Sequence, residues 1–529
     1  MADQIKLTID GKEIEVDKGT SVLQAAEKLG LDVPRYCYHP GLTIAGNCRI
    51  CLVEIEKMPK LATSCTTQAG DGMVVRTSGA KVEDGRRAVM EFLLANHPLD
   101  CPICDQAGEC RLQEYSFEHG PGGARFAETK VKGFKGQPIG PHVVLDTERC
   151  IVCTRCVRFC DEVTKTGELG VFQRGVLSYI STFPERGLDN PYSGNTVDIC
   201  PVGALTLKEF RFKKRVWELK DVSSVCGSCA RGCNVHLGTA DNRIWRLTPR
   251  ENQQVNRWWM CDEGRLSHQP LYATPRLTSA RVRRDGASAP ILWTEAVDIL
   301  AARLKQDRPG APAAIVDAPL TVEDLHVLKR LFVETLGAGE ILVAGLRRGK
   351  DDTLLIRADK RPNTRGAELM GLYTDAGGER LEKMIAGARA GRIHTLIVFT
   401  DGANPQLQGL LEPANKETFL CVVSPFAGPL VESADLAIPA AAYGEFDGTW
   451  VNFEGRAQHV SRAVTPPGVA LDPWLVAAEL MRRMGTPVLY ESADDVLKEV
   501  AATTAFKLLG AAPAETIGAL GAPVGGAAG

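Results

Sequence analysis

The chain carries no excess of basic charge. Its 62 Lys and Arg face 65 Asp and Glu, a net charge of −3, which excludes the strongly basic surface that a nucleic-acid backbone demands. It has no basic amphipathic segment and no lipidation signal. No run reaches the roughly 18 apolar residues of a membrane-spanning helix; the apolar run at 395–399 is only strand length. The N-terminus, Met1-Ala2-Asp3-Gln4-Ile5, lacks the basic n-region and apolar h-region of a secretory signal, so a cytoplasmic location is expected. There is no G-x-G-x-x-G after a strand and no Walker loop, and Gly120-Pro121-Gly122-Gly123 reads as a flexible loop. Cysteine is almost missing from the second half: of 17, only Cys421 follows residue 261.

The other sixteen cysteines crowd the first half. In a reducing compartment, clustered cysteines are read as metal ligands rather than disulfides. The first set is Cys37, Cys48, Cys51 and Cys65, spaced C-x10-C-x2-C-x13-C. A wrapping loop with one remote position suits a two-iron cluster, with the C-x2-C pair expected to reach one iron from one turn. His39 is expected to pack nearby without ligating. The second set is His97, Cys101, Cys104 and Cys110. Three cysteines leave one corner of a four-iron cube short, and His97 is the nearest donor; a neutral imidazole in place of a thiolate should raise the potential.

The third group is Cys150, Cys153, Cys156 and Cys160, a C-x2-C-x2-C-x3-C run, with Cys200-Pro201 further on. In two-cluster ferredoxins the fourth cysteine of such a run serves the other cluster, and no second C-x2-C-x2-C lies near Cys200. The expected ligands are therefore Cys150, Cys153, Cys156 and Cys200, with Cys160 a spare. The fourth set is Cys226, Cys229, Cys233 and Cys261, which fits a four-iron cluster with one distant ligand. Zinc in Cys₄ or Cys₃His form stays open as an alternative at these sets. Cys421, in an expected buried strand, reads as a small core residue. Arg49, Arg155 and Arg158 lie within the cluster loops, where their charges would favour reduced clusters unless they are solvated or paired elsewhere.

Around these sets the chain divides. Residues 4–16 predict a hairpin turning at Asp10-Gly11, and Ser21 with Gln24 predicts a capping box opening a helix that stops near Gly30. Helical spacing recurs over 83–96, ended by Pro98, and a glycine-rich linker covers 120–140. After about residue 275, apolar runs at 313–316, 341–343, 395–399 and 419–423 alternate with helical patterns at 322–336 and 379–390. That alternation predicts a doubly wound parallel α/β sheet. The last residues, APAETIGALGAPVGGAAG, are low-complexity and expected to be disordered.

These motifs together resemble the large iron–sulfur subunit of bacterial respiratory complex I, the family of NADH-quinone oxidoreductase G subunits. The resemblance runs through RYCYHPGLTIAGNCRICLVE at 35–54, NHPLDCPICDQAGECRLQ at 96–113, ERCIVCTRCVRFCDEV at 148–163, DICPVGAL at 198–205, CGSCARGCN at 226–234, MCDEGR at 260–265 and ADLAIPAAAYGEFDGTWVNFEGRAQ at 434–458. It implies one 2Fe-2S cluster on the first set and a 4Fe-4S cluster on each of the other three. The implied fold is multidomain α+β and α/β. A β-grasp two-iron ferredoxin spans 1–80, the His-Cys₃ segment and linker 81–140, and a four-iron ferredoxin-like domain 141–215. A four-iron module of molybdopterin-oxidoreductase type follows at 216–275. A truncated, degenerate molybdopterin-oxidoreductase-like α/β domain at 276–505 precedes the tail at 506–529.

The resemblance implies no molybdenum cofactor, and between Cys261 and Cys421 the sequence has no cysteine to ligate such a metal. That also weighs against the alternatives, an NAD-linked formate dehydrogenase or a hydrogenase-type electron-transfer subunit. The implied partners are the flavin-bearing NADH-oxidising subunit, the ferredoxin-type two-cluster subunit and other peripheral-arm subunits. The implied place is the soluble arm, peripheral on the cytoplasmic side of the bacterial inner membrane and reaching the membrane only through the complex.

Overall fold

The computed structural model describes residues 4–307, 312–337, 339–411 and 418–502; the low-complexity tail lies outside them. Backbone contacts divide the chain into two units, 1–219 and 220–529.

The first unit opens with β1 (Gln4–Ile9) and β2 (Lys12–Asp17), antiparallel with Ile9 opposite Lys12. Asp10 and Gly11 both have positive φ, 48° and 77°, as a type I′ hairpin turn requires. Helix α1 (Val22–Lys28) begins at the predicted capping box. The Ser21 side chain accepts from the Gln24 N–H, and the Gln24 side chain accepts from the Ser21 N–H. With β3 (Leu52–Ile55), β4 (Ala62–Thr63) and β5 (Met73–Arg76) these strands form one sheet in the order β2-β1-β5-β3-β4. Its core gathers Leu7, Ile9, Val22, Leu23, Val53 and Val75. The predicted helix over 83–96 starts earlier, as α2 (Ala80–Ala95), and stops before Pro98. Helix α3 (Arg111–His119) follows. The linker ends in a short strand, Gln137–Pro138, which pairs with Val143–Leu145.

In the second unit an eight-stranded sheet runs Ala287–Ile291, Ala280–Arg284, Leu436–Pro439, Phe419–Ser424, Thr395–Thr400, Pro312–Asp317, Glu340–Ala344, Tyr373–Asp375. The last six strands are parallel and the first two are antiparallel additions. Alternate residues serve two cores: Val316, Ile397, Phe399, Cys421 and Val423 on one face, Ile315, Leu396, Val398 and Val422 on the other. A sheet covered on both faces is what continuous apolar runs imply. The helix predicted over 322–336 forms as Val322–Arg330 and then widens into a π-helical turn, Leu331–Thr335. A three-stranded antiparallel sheet, Lys220–Val225, Asn234–Ala240 and Arg243–Pro249, heads this unit.

Candidate metal centres

All seventeen cysteines are free thiols. Among the described residues, no three His, Cys, Asp or Glu converge on a single-ion site. The first-set thiols touch one another, and two of the other sets line cavities.

Pairing between strands assembles the first set. Cys51 leads into β3 and Cys65 follows β4, and Leu52 lies opposite Thr63. This places the Cys51 and Cys65 sulfurs 3.4 Å apart. The Cys37 N–H donates to Cys48 Sγ at 3.5 Å. Cys37 also hydrogen-bonds through its side chain to both Cys48 and Cys65, so the four thiols form one contacting group. Contact among the thiols pulls Cys51 down to about 7, chiefly through the hydrogen bond from Cys65. Cys37 is lowered by Cys48 and Cys65, which are themselves raised. Gly46 has φ +65°, and a Cβ there would come within 2.7 Å of Thr66. His39 accepts from the Gly41 N–H at 3.1 Å, and burial with Arg155 and Arg158 nearby lowers its pKa to about 3.

In the second set, His97 follows the end of α2, Cys101 opens a 3₁₀ turn and Cys110 precedes α3. His97, Cys101, Cys104 and Cys110 line one cavity. Burial, then Arg149, lowers His97 to about 4; a neutral imidazole is the form that binds metal. Burial pushes Cys110 up to about 11, against N–H donation from Gln113 and Leu112. Cys101 is exposed. Gly203 is the cradle here: a Cβ on it would meet Cys104 Sγ at 2.2 Å.

The third set is closed by another strand pair. Val143–Leu145 leads toward Cys150, Leu205–Leu207 follows Cys200, and Leu145 lies opposite Leu205. Cys150, Cys153, Cys156 and Cys200 line one cavity and Cys160 does not. Cys160 is fully buried in the π-helical turn Phe159–Val163. The loop is strained, with Val152 and Thr154 at φ +50° and +63°. Left-handed backbone at a β-branched residue costs about 1–3 kcal/mol and recurs at functional sites. It turns the Val152 N–H toward Cys150 Sγ, 3.4 Å away. Burial pushes Cys150 up to about 12 and Cys153 up to about 11.

Two arginines join the first and third sets. Arg155 donates to the carbonyls of Ile199 (3.0 Å) and Tyr38 (2.5 Å). Arg158 donates to those of Cys37 (2.6 Å) and Thr43, and lies 3.5 Å from that of Cys153. Arg155 lines the third-set cavity, and its buried Nε has no hydrogen-bond partner among the described residues. A buried donor left unpaired costs about 1–3 kcal/mol, so an anionic sulfide in the cavity fits it. Arg49 is exposed.

In the fourth set, Cys226 and Cys233 flank the turn between Lys220–Val225 and Asn234–Ala240, where Val225 pairs with Asn234. The Cys226 N–H donates to the Cys233 carbonyl at 2.8 Å. Cys261 caps the helix Asp262–Leu266 and accepts from the Gly264 N–H at 3.3 Å. A Cβ on Gly264 would meet Cys226 Sγ at 2.9 Å. Burial pushes Cys226 up to about 11, with the Cys229 charge adding to it.

Sequence reasoning passed over Arg149 and Gly203. Arg149 reads as part of the third-set run because it precedes Cys150, but its side chain lines the second-set cavity. The glycine in DICPVGAL offered no sign that it faces Cys104.

Residues 2–80 match the 2Fe-2S iron-sulfur cluster binding domain family, and 86–125 the NADH-ubiquinone oxidoreductase-G iron-sulfur binding region. Residues 140–206 match the ferredoxin-like domain of NADH-quinone oxidoreductase subunit 3. Residues 219–273 match the molybdopterin oxidoreductase Fe4S4 domain, and 365–483 the molybdopterin oxidoreductase family. The NADH-quinone oxidoreductase G subunit of Rickettsia bellii is 43% identical over 333 residues, 63% of this chain and 48% of that one. The protein of the same name from Rickettsia conorii is 33% identical over 586 residues, 90% of this chain and 87% of that one. The mitochondrial NADH-ubiquinone oxidoreductase 78 kDa subunit of Neurospora crassa is 44% identical over 331 residues, 62% of this chain and 44% of that one. The match thus spans about half the length of two of these relatives and most of the third.

Proposed function

The chain belongs to the family of NADH-quinone oxidoreductase G subunits, and from that premise we propose that it is an electron relay in the peripheral arm of respiratory complex I. In this reading Cys37, Cys48, Cys51 and Cys65 hold a two-iron cluster. His97 with Cys101, Cys104 and Cys110, then Cys150, Cys153, Cys156 and Cys200, then Cys226, Cys229, Cys233 and Cys261, each hold a four-iron cluster. The clusters supply one-electron exchange; the polypeptide supplies position, thiolates and hydrogen bonds.

Adjacency within the first unit supports the order first set, third set, second set. Arg155 and Arg158 span the first two, and the Cys200-Pro201-Val202-Gly203 loop reaches Cys104. Electrons from a flavin-bearing NADH-oxidising subunit would enter at the first set. They would leave from the second set to a subunit with two ferredoxin-type clusters. The surface at the exposed Cys101 suits such an exit: Phe117 and Trp217, 85% and 65% exposed, share a hollow with it, and exposed apolar side chains brought together mark a protein contact. The chain would lie on the cytoplasmic side of a bacterial inner membrane; no helix among the described residues is long and apolar enough to cross one.

The second unit is read as a scaffold without molybdenum. Such folds bind ligands at the carboxyl ends of their strands. Here Arg361 pairs with Asp317 at 2.5 Å and with Asp401 at 2.9 Å at those ends, and Cys421 is buried within a strand.

The observation that carries the proposal is the convergence of remote donors, Cys200 with Cys150, Cys153 and Cys156, on one cavity that Cys160 does not line. The test is iron and sulfide counting with EPR on the full chain purified anaerobically. About fourteen irons are expected, as one two-iron and three four-iron clusters. A colourless protein holding about four zinc ions would overturn it.

A further inference from the structure

Arg149 is a buried cation whose guanidinium is only partly satisfied. Its Nε and Nη2 donate to Asp100 Oδ2 at 3.1 and 3.0 Å, and Asp146 lies 3.4 Å from Nε. Its Nη1 is buried and has no hydrogen-bond partner among the described residues. The same side chain lines the cavity of His97, Cys101, Cys104 and Cys110.

A charged N–H donor buried without an acceptor is one of the least tolerated arrangements in a protein interior. Asp100 holds the planar fork from one side, which leaves Nη1 as its unpaired nitrogen in a side chain that borders the cavity. The group that would satisfy it must be anionic or strongly accepting and must lie among the three thiolates and the imidazole. A sulfide of a four-iron cube meets both conditions.

We propose that Arg149 donates a charge-assisted hydrogen bond from Nη1 to the histidine-ligated cluster and holds that cluster's reduction potential up. Reduction adds a negative charge to the cluster, so a fixed donor and cation beside it stabilise the reduced form more than the oxidised one. Arg149 also immediately precedes Cys150, a third-set donor, in the chain. One residue thereby ties the backbone of one ligand set to the hydrogen-bonding shell of the next.

The inference rests on the reading that the second set holds a four-iron cluster, and the experiment separates the two. Full-length wild type, Arg149→Lys and Asp100→Asn are purified anaerobically and titrated by EPR. Arg149→Lys keeps the charge that Asp100 and Asp146 need but loses the fork. The equilibrium for reducing the histidine-ligated cluster should fall about tenfold, a downward shift of about 59 mV for one electron. Asp100→Asn keeps a side-chain oxygen that can accept from the fork but removes its negative charge, so the guanidinium is less neutralised and the same potential should rise. ENDOR should show one exchangeable-proton coupling to this cluster fewer in Arg149→Lys than in wild type.

An unshifted potential in Arg149→Lys with the cluster present would overturn the proposal. So would a fall in Asp100→Asn, or loss of the cluster in both variants, which would make Arg149 a structural clamp. If only Arg149→Lys loses the cluster, the direction of the Asp100→Asn shift decides. Absence of this cluster's signal from wild type would instead remove the reading beneath it.

Discussion

Replacing Gly203 with alanine tests whether the second ligand set and the Cys200 loop form one fitted unit. The new methyl carbon would lie 2.2 Å from Cys104 Sγ and 3.0 Å from the Cβ of Gln106. Relaxing the sulfur contact to the 3.4 Å of ordinary van der Waals touch moves Cys104 by about 1.2 Å. Metal ligands hold their distances to about 0.2 Å, so Cys104 cannot stay bonded while making room. The backbone offers little give, because the Arg111 N–H donates to the Pro201 carbonyl at 3.1 Å on one side and the Asp146 N–H to the Ala204 carbonyl at 2.7 Å on the other. Gly203→Ala should therefore lose the histidine-ligated cluster. Iron per chain should drop from about fourteen to about ten, and one four-iron EPR signal should vanish while the signal assigned to Cys150, Cys153, Cys156 and Cys200 remains. A variant with a full iron and sulfide count and an unchanged spectrum would refute the reasoning, because Cys104 could not then be a cluster ligand in this geometry.

Cys160→Ala should keep the full iron count at a stability cost of about 1 kcal/mol, whereas Cys200→Ala should lose four irons; parallel iron assays on the two variants decide it. Arg155→Ala should lower the potential of the third-set cluster by about 60 mV, a tenfold change in a one-electron equilibrium, as read by redox-titrated EPR; no movement would mean that its charge is compensated. Glu323 is buried, accepts from the Thr449 N–H at 2.8 Å, and is raised by burial from 4.5 to about 7. Its folded form prefers the proton, so the stability it contributes is present below pH 4.5 and lost as pH climbs through 7. Glu323→Gln cannot ionise, and should match wild type near pH 4 and exceed it by about 3 kcal/mol at pH 8 in calorimetry of the full chain.

Local chemistry made much of this architecture readable in advance. Asp10-Gly11 tolerates the positive φ of a tight hairpin, Ser21 and Gln24 satisfy each other's backbone, and apolar runs of strand length became the parallel core of the second unit. The grouping of thiols was readable for the same reason: short spacings confine Cys150, Cys153 and Cys156 to one loop, and Cys226, Cys229 and Cys233 to another. What stayed hidden depended on which way a side chain turns or which strand lies beside which. The Cys51 and Cys65 sulfurs touch because β3 pairs with β4 across Leu52 and Thr63, a tertiary fact that spacing does not carry. Arg149 precedes one ligand run yet faces the cavity of another. Of the three arginines whose charges were expected to tune clusters, two bridge loops and one, Arg49, is exposed. The π-helical turns after Arg158 and Arg330 have no counterpart in hydrophobic periodicity.

Cys101 is the one exposed thiol among the described residues, and exposure governs how fast oxidants attack a sulfur. An isolated chain handled in air should begin to decay there, shedding iron from the histidine-bearing set while the deeper sets persist. Apparent stoichiometry would then depend on the minutes spent outside the glove box, and a neighbouring subunit covering Phe117 and Trp217 would act as an oxygen barrier as much as an electron acceptor.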